Sequence, residues 1–494
     1  MNSSAIINTP LKKFLLFFLT IFLLLILIIS INTIRFTSKQ LNPVSEKNNF
    51  IIDTLAINHL SSSIRICSIS YDEDSLTNYS LFDSLNTFLR SNYPLVFSTL
   101  NLQIINNYSL LFHWKGSTSN KKPVILYAHL DVVPADEGDS SQWQHPPFNG
   151  TIDSEFIYGR GAIDDKGSVI AILESVEKLI SENFIPSRDI YIAFGHDEEV
   201  GGEQGAQKIA QELEKQGVKA EFLLDEGGLV AIDMVPFVKS PVALVFTSEK
   251  GYLTLELSVK SNGGHSSFPP MDPPIEILTA AIQKIHNHPF DKRMTESVSD
   301  FMDYVGPEMK LPFKALFANR WLFRSVIFNE YEKIPSANAM ISTTAVTTII
   351  NGGTKENVIP SEVKAKINFR LLPGDSSAAI LRKVKELIDD ERISVSINDN
   401  AEESSKVSSV KSEGFKLLNV VISKIYPDAI VAPSLLIAQT DSRHFRNVTE
   451  NIFRFIPIRM DDKILGSMHG TNEKIGIHDF MESIAFYRLL MEKI

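Results

Sequence analysis

The longest apolar run of the chain lies close to its amino terminus. Residues 14–31 are interrupted only by the polar Thr20 and Ser30, and two lysines precede them. About 18 apolar residues is near the minimum length for a helix that crosses a bilayer. No small-residue cleavage site follows the run, so the pattern favours a transmembrane signal anchor at 14–31 over the alternative, a cleaved signal peptide.

The charges beside this run predict its orientation. Lys12 and Lys13 favour a cytoplasmic amino terminus at 1–13, which would place the rest of the chain in a lumen or outside the cell. Residues 32–48 are predicted to form a polar stalk. The expected location is a single-pass membrane protein of the secretory pathway, vacuole or lysosome, or a secreted protein if the anchor is cleaved. Four glycosylation sequons would then be accessible, at Asn78, Asn107, Asn149 and Asn447.

Beyond residue 48, short apolar runs alternate with segments of helical periodicity. Residues 124–128, 190–194 and 222–224 have the continuous apolar pattern of strands that are buried on both faces. One intervening segment repeats its apolar residues at the spacing of a helix face, at Val169, Ile172, Leu173, Val176, Leu179 and Ile180. This alternation predicts an α/β catalytic domain with a mostly parallel sheet, formed by 49–248 and completed by 403–494.

The pattern changes between residues 249 and 402. Residues 252–259 and 363–370 alternate apolar and polar positions, as strands with one solvated face do, and 275–285 and 378–388 have helical spacing. Two helices on an antiparallel sheet form an α+β sandwich. We therefore expect 249–402 to be a domain inserted into the catalytic domain. Residues 415–425 and 484–494 are predicted to be helices of the returning chain.

Composition sets limits on the kind of protein. A chain of 494 residues with 44% hydrophobic residues is long enough for two sizeable domains. Its formal charge of −11 argues against a nucleic-acid partner. Cys67 is the one cysteine, so an intrachain disulfide is not available and stability must come from a packed core.

Acidic and imidazole side chains follow four of the apolar runs directly. They form the pairs His129 and Asp131, Asp164 and Asp165, Glu198 and Glu199, and Asp225 and Glu226. Because parallel strands joined by helices bring their carboxyl ends to one edge of the sheet, we expect these side chains to meet there.

The chemistry of these side chains points to a metal. His129 and Asp131 are two residues apart on an extended strand end and point the same way, so the carboxylate can hold one ring nitrogen while the other binds a metal ion. Clustered carboxylates repel one another unless a cation neutralises them. Carboxylates and imidazole suit zinc, cobalt or manganese. The nucleophile elbow of serine hydrolases, the His-Glu-x-x-His helix and the phosphate-binding loop are absent from the sequence, which disfavours those chemistries.

These motifs resemble the M20 family of di-zinc metallopeptidases over nearly the whole chain beyond residue 45. The similar segments are His129-Leu-Asp131, Gly159-Arg-Gly-Ala-Ile-Asp164-Asp165-Lys-Gly, Asp197-Glu198-Glu199-Val-Gly-Gly and Asp225-Glu226-Gly. The chain is most similar to the membrane-anchored carboxypeptidase S group and the N-fatty-acyl-amino-acid synthase/hydrolase (PM20D1-like) branch. The resemblance implies two Zn²⁺ ions, with Co²⁺ or Mn²⁺ also compatible with the ligands.

The resemblance also implies a role for each residue. Asp164 would bridge the ions, His129 and Asp225 would complete one site, and Glu199 and His469 would complete the other. Glu198 would be the general base, beside the catalytic carboxylate Asp131. For the residue after the fourth run, spacing favours Asp225 over Glu226, and both stay open.

In the inserted domain, the resemblance points to two further residues. His265, after two glycines, would reach the substrate oxyanion as a catalytic and substrate-binding group. Arg370 is a candidate for binding the free carboxylate of the substrate, because a guanidinium can donate two parallel hydrogen bonds to it. This domain would also serve as a lid and a homodimer interface.

The function that we predict is a di-zinc hydrolase that removes a carboxyl-terminal amino acid from a short peptide. The alternative is hydrolysis or synthesis of N-acyl amino acids, including fatty-acyl ones. A third hypothesis, an inactive metal-binding scaffold, is disfavoured by Glu198, because a binding module has no need of a base beside its metal.

Overall fold

The structure, a computed structural model, describes residues 9–41, 52–118, 120–135, 142–398 and 401–494. Its helices are α1 Thr9–Arg35, α2 Thr54–Ile64, α3 Tyr79–Asn92, α4 Pro94–Thr99, α5 Lys166–Ser181, α6 Ala206–Lys215, α7 Pro274–Asn287, α8 Glu296–Val305, α9 Phe313–Ala318, α10 Arg320–Glu332, α11 Pro335–Ile341, α12 Ser377–Ile388, α13 Glu413–Ile425, α14 Asp462–Leu465 and α15 Ile477–Lys493. Its strands are β1 Asn101–Ile105, β2 Ser109–Trp114, β3 Val124–His129, β4 Thr151–Ile152, β5 Phe156–Tyr158, β6 Ile190–Gly195, β7 Phe222–Asp225, β8 Leu229–Ala231, β9 Val242–Glu249, β10 Gly251–Lys260, β11 Gly264–His265, β12 Thr344–Gly352, β13 Val358–Ile359, β14 Glu362–Leu371, β15 Ile393–Ile397, β16 Ile430–Leu436, β17 Ile452–Arg454, β18 Arg459–Met460 and β19 Lys474–Gly476.

The large sheet has its parallel strands at the centre. Strands β6, β3, β7 and β17 are neighbours in that order and run parallel. Strand β2 pairs antiparallel with β1 and β6, and β9 pairs antiparallel with β8 and β17. The sheet is therefore mixed rather than mostly parallel as predicted. One cause is the short β1–β2 connection, where Asn106 and Asn107 adopt left-handed backbone angles that suit a hairpin.

Helices cover both faces of this sheet, which explains the continuous apolar runs of its strands. In β3, Val124, Leu126 and Ala128 belong to the main core together with α5 and α15. Ile125 and Tyr127 face the opposite side and belong to a second core that includes α6. The α/β architecture predicted from the sequence is present, and β3, β6 and β7 all end at the same edge.

A second sheet lies between residues 251 and 397. Its order is β12-β14-β10-β15, all antiparallel. Leu253, Leu255, Leu257 and Val259 of β10 alternate into a separate core with residues of α7 and α12. Two helices on an antiparallel sheet agree with the predicted α+β arrangement.

Helices α8–α11 do not join that separate core, although they lie within the range 249–402 predicted for the inserted domain. Val298, Met302 and Val305 of α8 pack in the main core, and α8 contacts β16. The segment from 296 to 341 is thus part of the body of the larger unit.

One described helix is long and apolar enough to cross a membrane, namely the segment Lys12–Arg35 of α1. It extends past the predicted range 14–31, and its apolar side chains are exposed. Residues 32–41 of the predicted stalk lie against the body, where Lys39 pairs with Asp303 at 3.3 Å. Residues 42–48 of that stalk and 1–8 of the predicted cytoplasmic terminus lie outside the described residues.

Candidate metal centre

His129 is the last residue of β3, and its imidazole is completely buried. Its Nε2 lies 2.9 Å from Oδ1 of Asp164, and its Nδ1 lies 3.0 Å from the carbonyl oxygen and 3.3 Å from Oδ1 of Asp131. The predicted pairing of His129 with Asp131 is therefore present in the folded chain. Nδ1 is held by Asp131, and Nε2 is directed at the acidic cluster.

Asp164 has a different imidazole at each of its two carboxylate oxygens. Oδ1 contacts His129, and Oδ2 lies 3.0 Å from Nε2 of His469. Burial alone would raise the pKa of Asp164, but the hydrogen bonds to these two imidazoles lower it below the ordinary value. The peptide bond from Asp164 to Asp165 is cis. Because each of its oxygens faces a different imidazole, the carboxylate of Asp164 is suited to contact two cations at once.

Glu198 and Glu199 occupy a short 3-10 turn directly after β6. Their backbone N–H groups donate to the two oxygens of Asp131 at 3.1 Å each. Oε2 of Glu199 lies 3.1 Å from Nε2 of His469, whereas Oε1 is buried and has no hydrogen-bond partner within the described part of the chain. Asp131 thus fixes both the imidazole of His129 and the turn that carries the two glutamates.

The side chains of the two acids at the end of β7, Asp225 and Glu226, point in different directions. Asp225 accepts hydrogen bonds from the backbone N–H groups of Glu226 at 2.8 Å and Ser442 at 2.9 Å. Glu226 instead directs Oε1 toward Nε2 of His129, at 3.8 Å. The structure therefore brings Glu226, and not Asp225, to the imidazole side of the cluster. The spacing that favoured Asp225 does not determine which way either side chain turns.

His469 lies at the open side of the cluster. It has a left-handed backbone (φ 56°), and its side chain is 57% exposed. Hydrogen bonds to Asp164 and Glu199 raise the pKa of His469 to about 10. Ligand atoms of His129, Asp164 and Glu199 all lie within 4.8 Å of one another, and so do those of His129, Asp165 and Glu226.

The electrostatics of the cluster fit a bound cation. Burial, followed by the charge of Glu226, raises the pKa of Glu198 well above its ordinary value. Burial and the charge of Asp164 do the same for Glu226 and raise the pKa of Glu199. Buried carboxylates that repel one another, together with the unpartnered Oε1 of Glu199, are the environment that a divalent ion stabilises.

Glu473 supports the loop before Asp164 and was not singled out from the sequence. Its completely buried carboxylate accepts from the guanidinium of Arg160 at 2.8 Å. It also accepts from the backbone N–H groups of Gly161, Ile163 and Asp164 at 2.8–3.2 Å. Glu473 lies four residues after His469, so one segment supplies both a member of the cluster and the anchor of the Asp164 loop.

Arg443 and Asp441 come from the strand-end segment after β16. Arg443 donates to the carbonyl oxygen of Gly201 at 2.6 Å, which fixes the backbone just beyond Glu199. Burial raises the pKa of Asp441 to about 8, although Arg443 and a hydrogen bond from Tyr127 oppose the shift. The sequence signal for both residues was the same as for the others, namely polar residues that follow a buried strand.

His265 and Arg370 lie on the second sheet and its short extension. His265 is exposed, and its Nδ1 accepts from the backbone N–H of Ser267 at 3.1 Å. Among the described residues, hydrogen bonds or ion pairs do not join His265 to the cluster. Arg370 lies over the ring of Tyr252, with 5.0 Å from guanidinium carbon to ring centroid. Burial lowers the pKa of Arg370, and the positive charge of Arg443 adds to that effect.

Residues 125–493 match the family described as Peptidase family M20/M25/M40. The chain is 42% identical over 478 residues to the probable carboxypeptidase S-like 2 of Dictyostelium discoideum, covering 95% of this chain and 92% of that protein. It is 37% identical over 436 residues to the N-fatty-acyl-amino acid synthase/hydrolase PM20D1 of Xenopus tropicalis, covering 88% and 84%. The solved M20 family metallo-carboxypeptidase Sso-CP2 from Sulfolobus solfataricus has the same fold, with a TM-score of 0.64 at 20% identity and coverage of 89% and 99%.

Proposed function

This chain is an enzyme that belongs to peptidase family M20/M25/M40, and we propose that it is a di-zinc hydrolase that cleaves the carboxyl-terminal peptide or amide bond of small substrates. The observation that carries this proposal is the pair of contacts at Asp164. One carboxylate oxygen lies against His129 and the other against His469. Each imidazole is accompanied by a further carboxylate, which supports a site for two ions rather than one.

We assign the ligands from these contacts. His129 and Glu226 would hold one ion, Glu199 and His469 would hold the other, and Asp164 would serve both. This assignment replaces Asp225 with Glu226, because the carboxylate of Asp225 is already held by backbone N–H groups. Asp131 orients His129 through Nδ1, as carboxylates behind metal-binding histidines do.

Zinc in such a site supplies Lewis acidity, which lowers the pKa of water and polarises a carbonyl oxygen. Side chains of the protein would carry out the proton transfers. Glu198 is not needed as a ligand, and its buried environment raises its pKa, so it is suited to accept a proton from the attacking water. The same carboxyl group would then donate that proton to the leaving nitrogen of the substrate.

The free carboxylate of the substrate requires a cation. Arg370 is half-buried, and burial together with the charge of Arg443 lowers its pKa. Arg443 donates to the carbonyl oxygen of Gly201, just beyond Glu199, which supports a positive charge near the cluster. We propose that Arg370 binds the substrate carboxylate. His265 would reach the oxyanion only after a movement of the second sheet or from a second copy of the chain. The exposed edge strand β12, with Val346 and Ile350 each 60% exposed, supports a homodimer through this sheet.

Hydrolysis or synthesis of N-acyl amino acids is the second candidate. It is supported by the 37% identity to the N-fatty-acyl-amino acid synthase/hydrolase over 88% of this chain. Both substrate classes present an amide bond next to a free carboxylate, so the same cluster and the same Arg370 would serve either. They differ in the group on the acyl side of that bond.

A substrate panel separates the two candidates. The full-length protein, purified in detergent, would be assayed on a blocked dipeptide and on an oleoyl amino acid that share the same carboxyl-terminal residue. Glu198→Gln should reduce kcat for the preferred substrate by roughly 10²–10⁴-fold, the usual contribution of a general base, with zinc content unchanged. Unchanged turnover in a variant that retains zinc would remove this mechanism.

We also propose that α1 anchors the enzyme in a membrane with the catalytic part in a lumen or outside the cell. The length and composition of Lys12–Arg35 support a membrane span, and Lys12 and Lys13 at its start support this orientation. The asparagines of the four sequons are all exposed, as glycosylation requires.

A further inference from the structure

A group of large apolar side chains is exposed on one part of the body. Leu311 is 70% exposed, Trp321 61%, Leu322 39%, Val326 45% and Phe237 67%. All but Phe237 lie between residues 311 and 326, just before α9 and on α10. Phe237 belongs with them, because its ring stacks on Phe313 of α9 at 3.9 Å between centroids. We call these five residues the α9–α10 apolar face.

The carboxyl-terminal end of α1 packs directly beside this face. Asn319, between α9 and α10, is completely buried. Its side chain donates to the carbonyl oxygen of Ile29 at 3.3 Å and accepts from Asn32 at 2.9 Å. Helix α1 also contacts α9. The junction of α9 and α10 is therefore fixed to α1 within its apolar segment.

The chain after α1 is fixed to the body as well. The ring of Phe36 lies against Gly306, leaving no space for a β-carbon there. Gln40 exchanges hydrogen bonds with the backbone of Val431, at 3.1 Å to its carbonyl oxygen and 2.9 Å from its N–H. Lys39 lies 4.8 Å from the ring centroid of Tyr304. The body consequently has one orientation relative to α1.

This orientation sets the depth of the α9–α10 apolar face relative to the membrane that α1 would cross. The segment Lys12–Arg35 has 24 residues, about 36 Å of helix, slightly more than the ~30 Å hydrocarbon core of a bilayer. Ile29 and Asn32 lie in the last two turns of that segment, near one membrane surface. Trp321 and Leu322 come two and three residues after Asn319, within the first turn of α10, so they lie close to the same level.

We propose that the α9–α10 apolar face inserts into the membrane interface, in the leaflet on the side of the body, as a second attachment beside α1. This inference rests on the proposed membrane span. Tryptophan favours the interface between headgroups and acyl chains, and apolar side chains of a surface helix enter that layer. Lys310, Lys314 and Arg324, in and beside α9 and α10, would meet the phosphates of the lipids.

The three tryptophans of the chain allow a direct test. Trp114 and Trp143 are buried, at 5% and 9% exposure, whereas Trp321 is exposed. The full-length protein would be reconstituted in phosphatidylcholine vesicles whose acyl chains carry bromine at a shallow or a deep position. Brominated lipid should remove part of the tryptophan emission, more with shallow than with deep bromine. Trp321→Phe, which keeps an apolar ring, should abolish that loss.

Two controls distinguish the membrane span and the proposed function from the membrane contact of Trp321. Retention of the protein in the vesicles after alkaline extraction tests the span by itself, and hydrolysis of substrate tests the proposed function by itself. Protein that is retained and active but shows equal emission in brominated and ordinary lipid would overturn the inference. The same holds if the loss persists in Trp321→Phe, or if cross-linking shows that a second copy covers Trp321.

Discussion

At the scale of single residues, the direction of each carboxylate determines its chemical role. Asp131 faces backbone N–H groups and one ring nitrogen, so it positions other residues. Asp164 faces two imidazoles and Glu199 faces one, so both are placed to bind metal. Glu198 keeps its carboxyl group among other acids, where burial raises its pKa. We therefore propose different functions for these adjacent residues of identical type, because their surroundings differ.

The pair Asp225 and Glu226 provides a prediction with an internal control. Glu226→Gln should lower the zinc content and the metal affinity at least tenfold, because a carboxylate ligand is lost. Asp225→Asn should retain zinc and lower stability by about 1–3 kcal/mol, because its carboxylate accepts two buried N–H groups. Metal analysis and urea unfolding of both variants check this. If only Asp225→Asn lost zinc, Asp225 would be the ligand, as the spacing predicted.

His196 provides a prediction on pH. It is buried beside Tyr79, Phe82 and Tyr108, and burial lowers its pKa to about 4. The unfolded chain binds a proton at this position below its ordinary pKa of about 6.5, and the folded chain does not until about 4. His196 should therefore lower the free energy of unfolding by about 3 kcal/mol as the pH falls from about 6.5 to about 4.

Urea unfolding of wild type and His196→Gln at pH about 6.5 and about 4.5 measures this contribution. The variant should lose less stability on acidification than the wild type does. Equal losses in the two proteins would show that the imidazole is protonated in the folded state.

His129, the pair Glu198 and Glu199, and the pair Asp225 and Glu226 could be named from the sequence because they lie at or just after the end of a buried strand. Asp164 and His469 could be named because their motifs resemble those of a known family. Which of two neighbouring acids faces inward could not be named. That choice depends on Ser442, which lies 217 positions from Asp225 and supplies the N–H group that holds its carboxylate. Periodicity does not contain that information.

At the scale of elements, strands and helices with strong apolar periodicity occur where the sequence predicts them. The alternation at 252–259 and 363–370 corresponds to β10 Gly251–Lys260 and β14 Glu362–Leu371. The direction of the edge strands was not predictable, because it depends on which strands pair at the edges of the sheet. The core that α8–α11 join was not predictable either, because by composition alone their apolar faces fit either core.

The loop that carries Asp164 yields a prediction at this scale. Glu473→Gln should destabilise the fold by about 3–5 kcal/mol, because the buried charge of Arg160 would lose its partner. Activity should fall too, since two of the four donors to Glu473 belong to Ile163 and Asp164.

Glu182→Gln is the matched control, because it removes the exposed ion pair with Arg488 at 2.7 Å and should cost less than about 1 kcal/mol. Chemical unfolding of both variants provides the comparison. Equal destabilisation would show that Glu473 does not support the loop as we describe.

At the scale of the whole molecule, α1 and the catalytic body form a connected unit. The contact between Asn32 and Asn319 joins residues 287 positions apart, which is why the sequence predicted a stalk instead. The body is thereby oriented toward the membrane that α1 would cross. An enzyme held in this way would meet substrates at or near the lipid surface.

The proposed orientation of α1 predicts glycosylation of the body. With a cytoplasmic amino terminus, protein made in a eukaryotic cell should show a smaller apparent mass after endoglycosidase treatment. Replacing Asn78, Asn107, Asn149 and Asn447 by glutamine should abolish that shift. Membrane-bound wild-type protein without any shift would place the catalytic part on the cytoplasmic side.

The most direct measurement of the central claim is anomalous X-ray scattering at the zinc edge from crystals of the purified enzyme. We predict two anomalous peaks, one beside His129 and Glu226 and the other beside Glu199 and His469, with the carboxylate of Asp164 between them. A single peak, or peaks away from Asp164, would contradict the two-ion site.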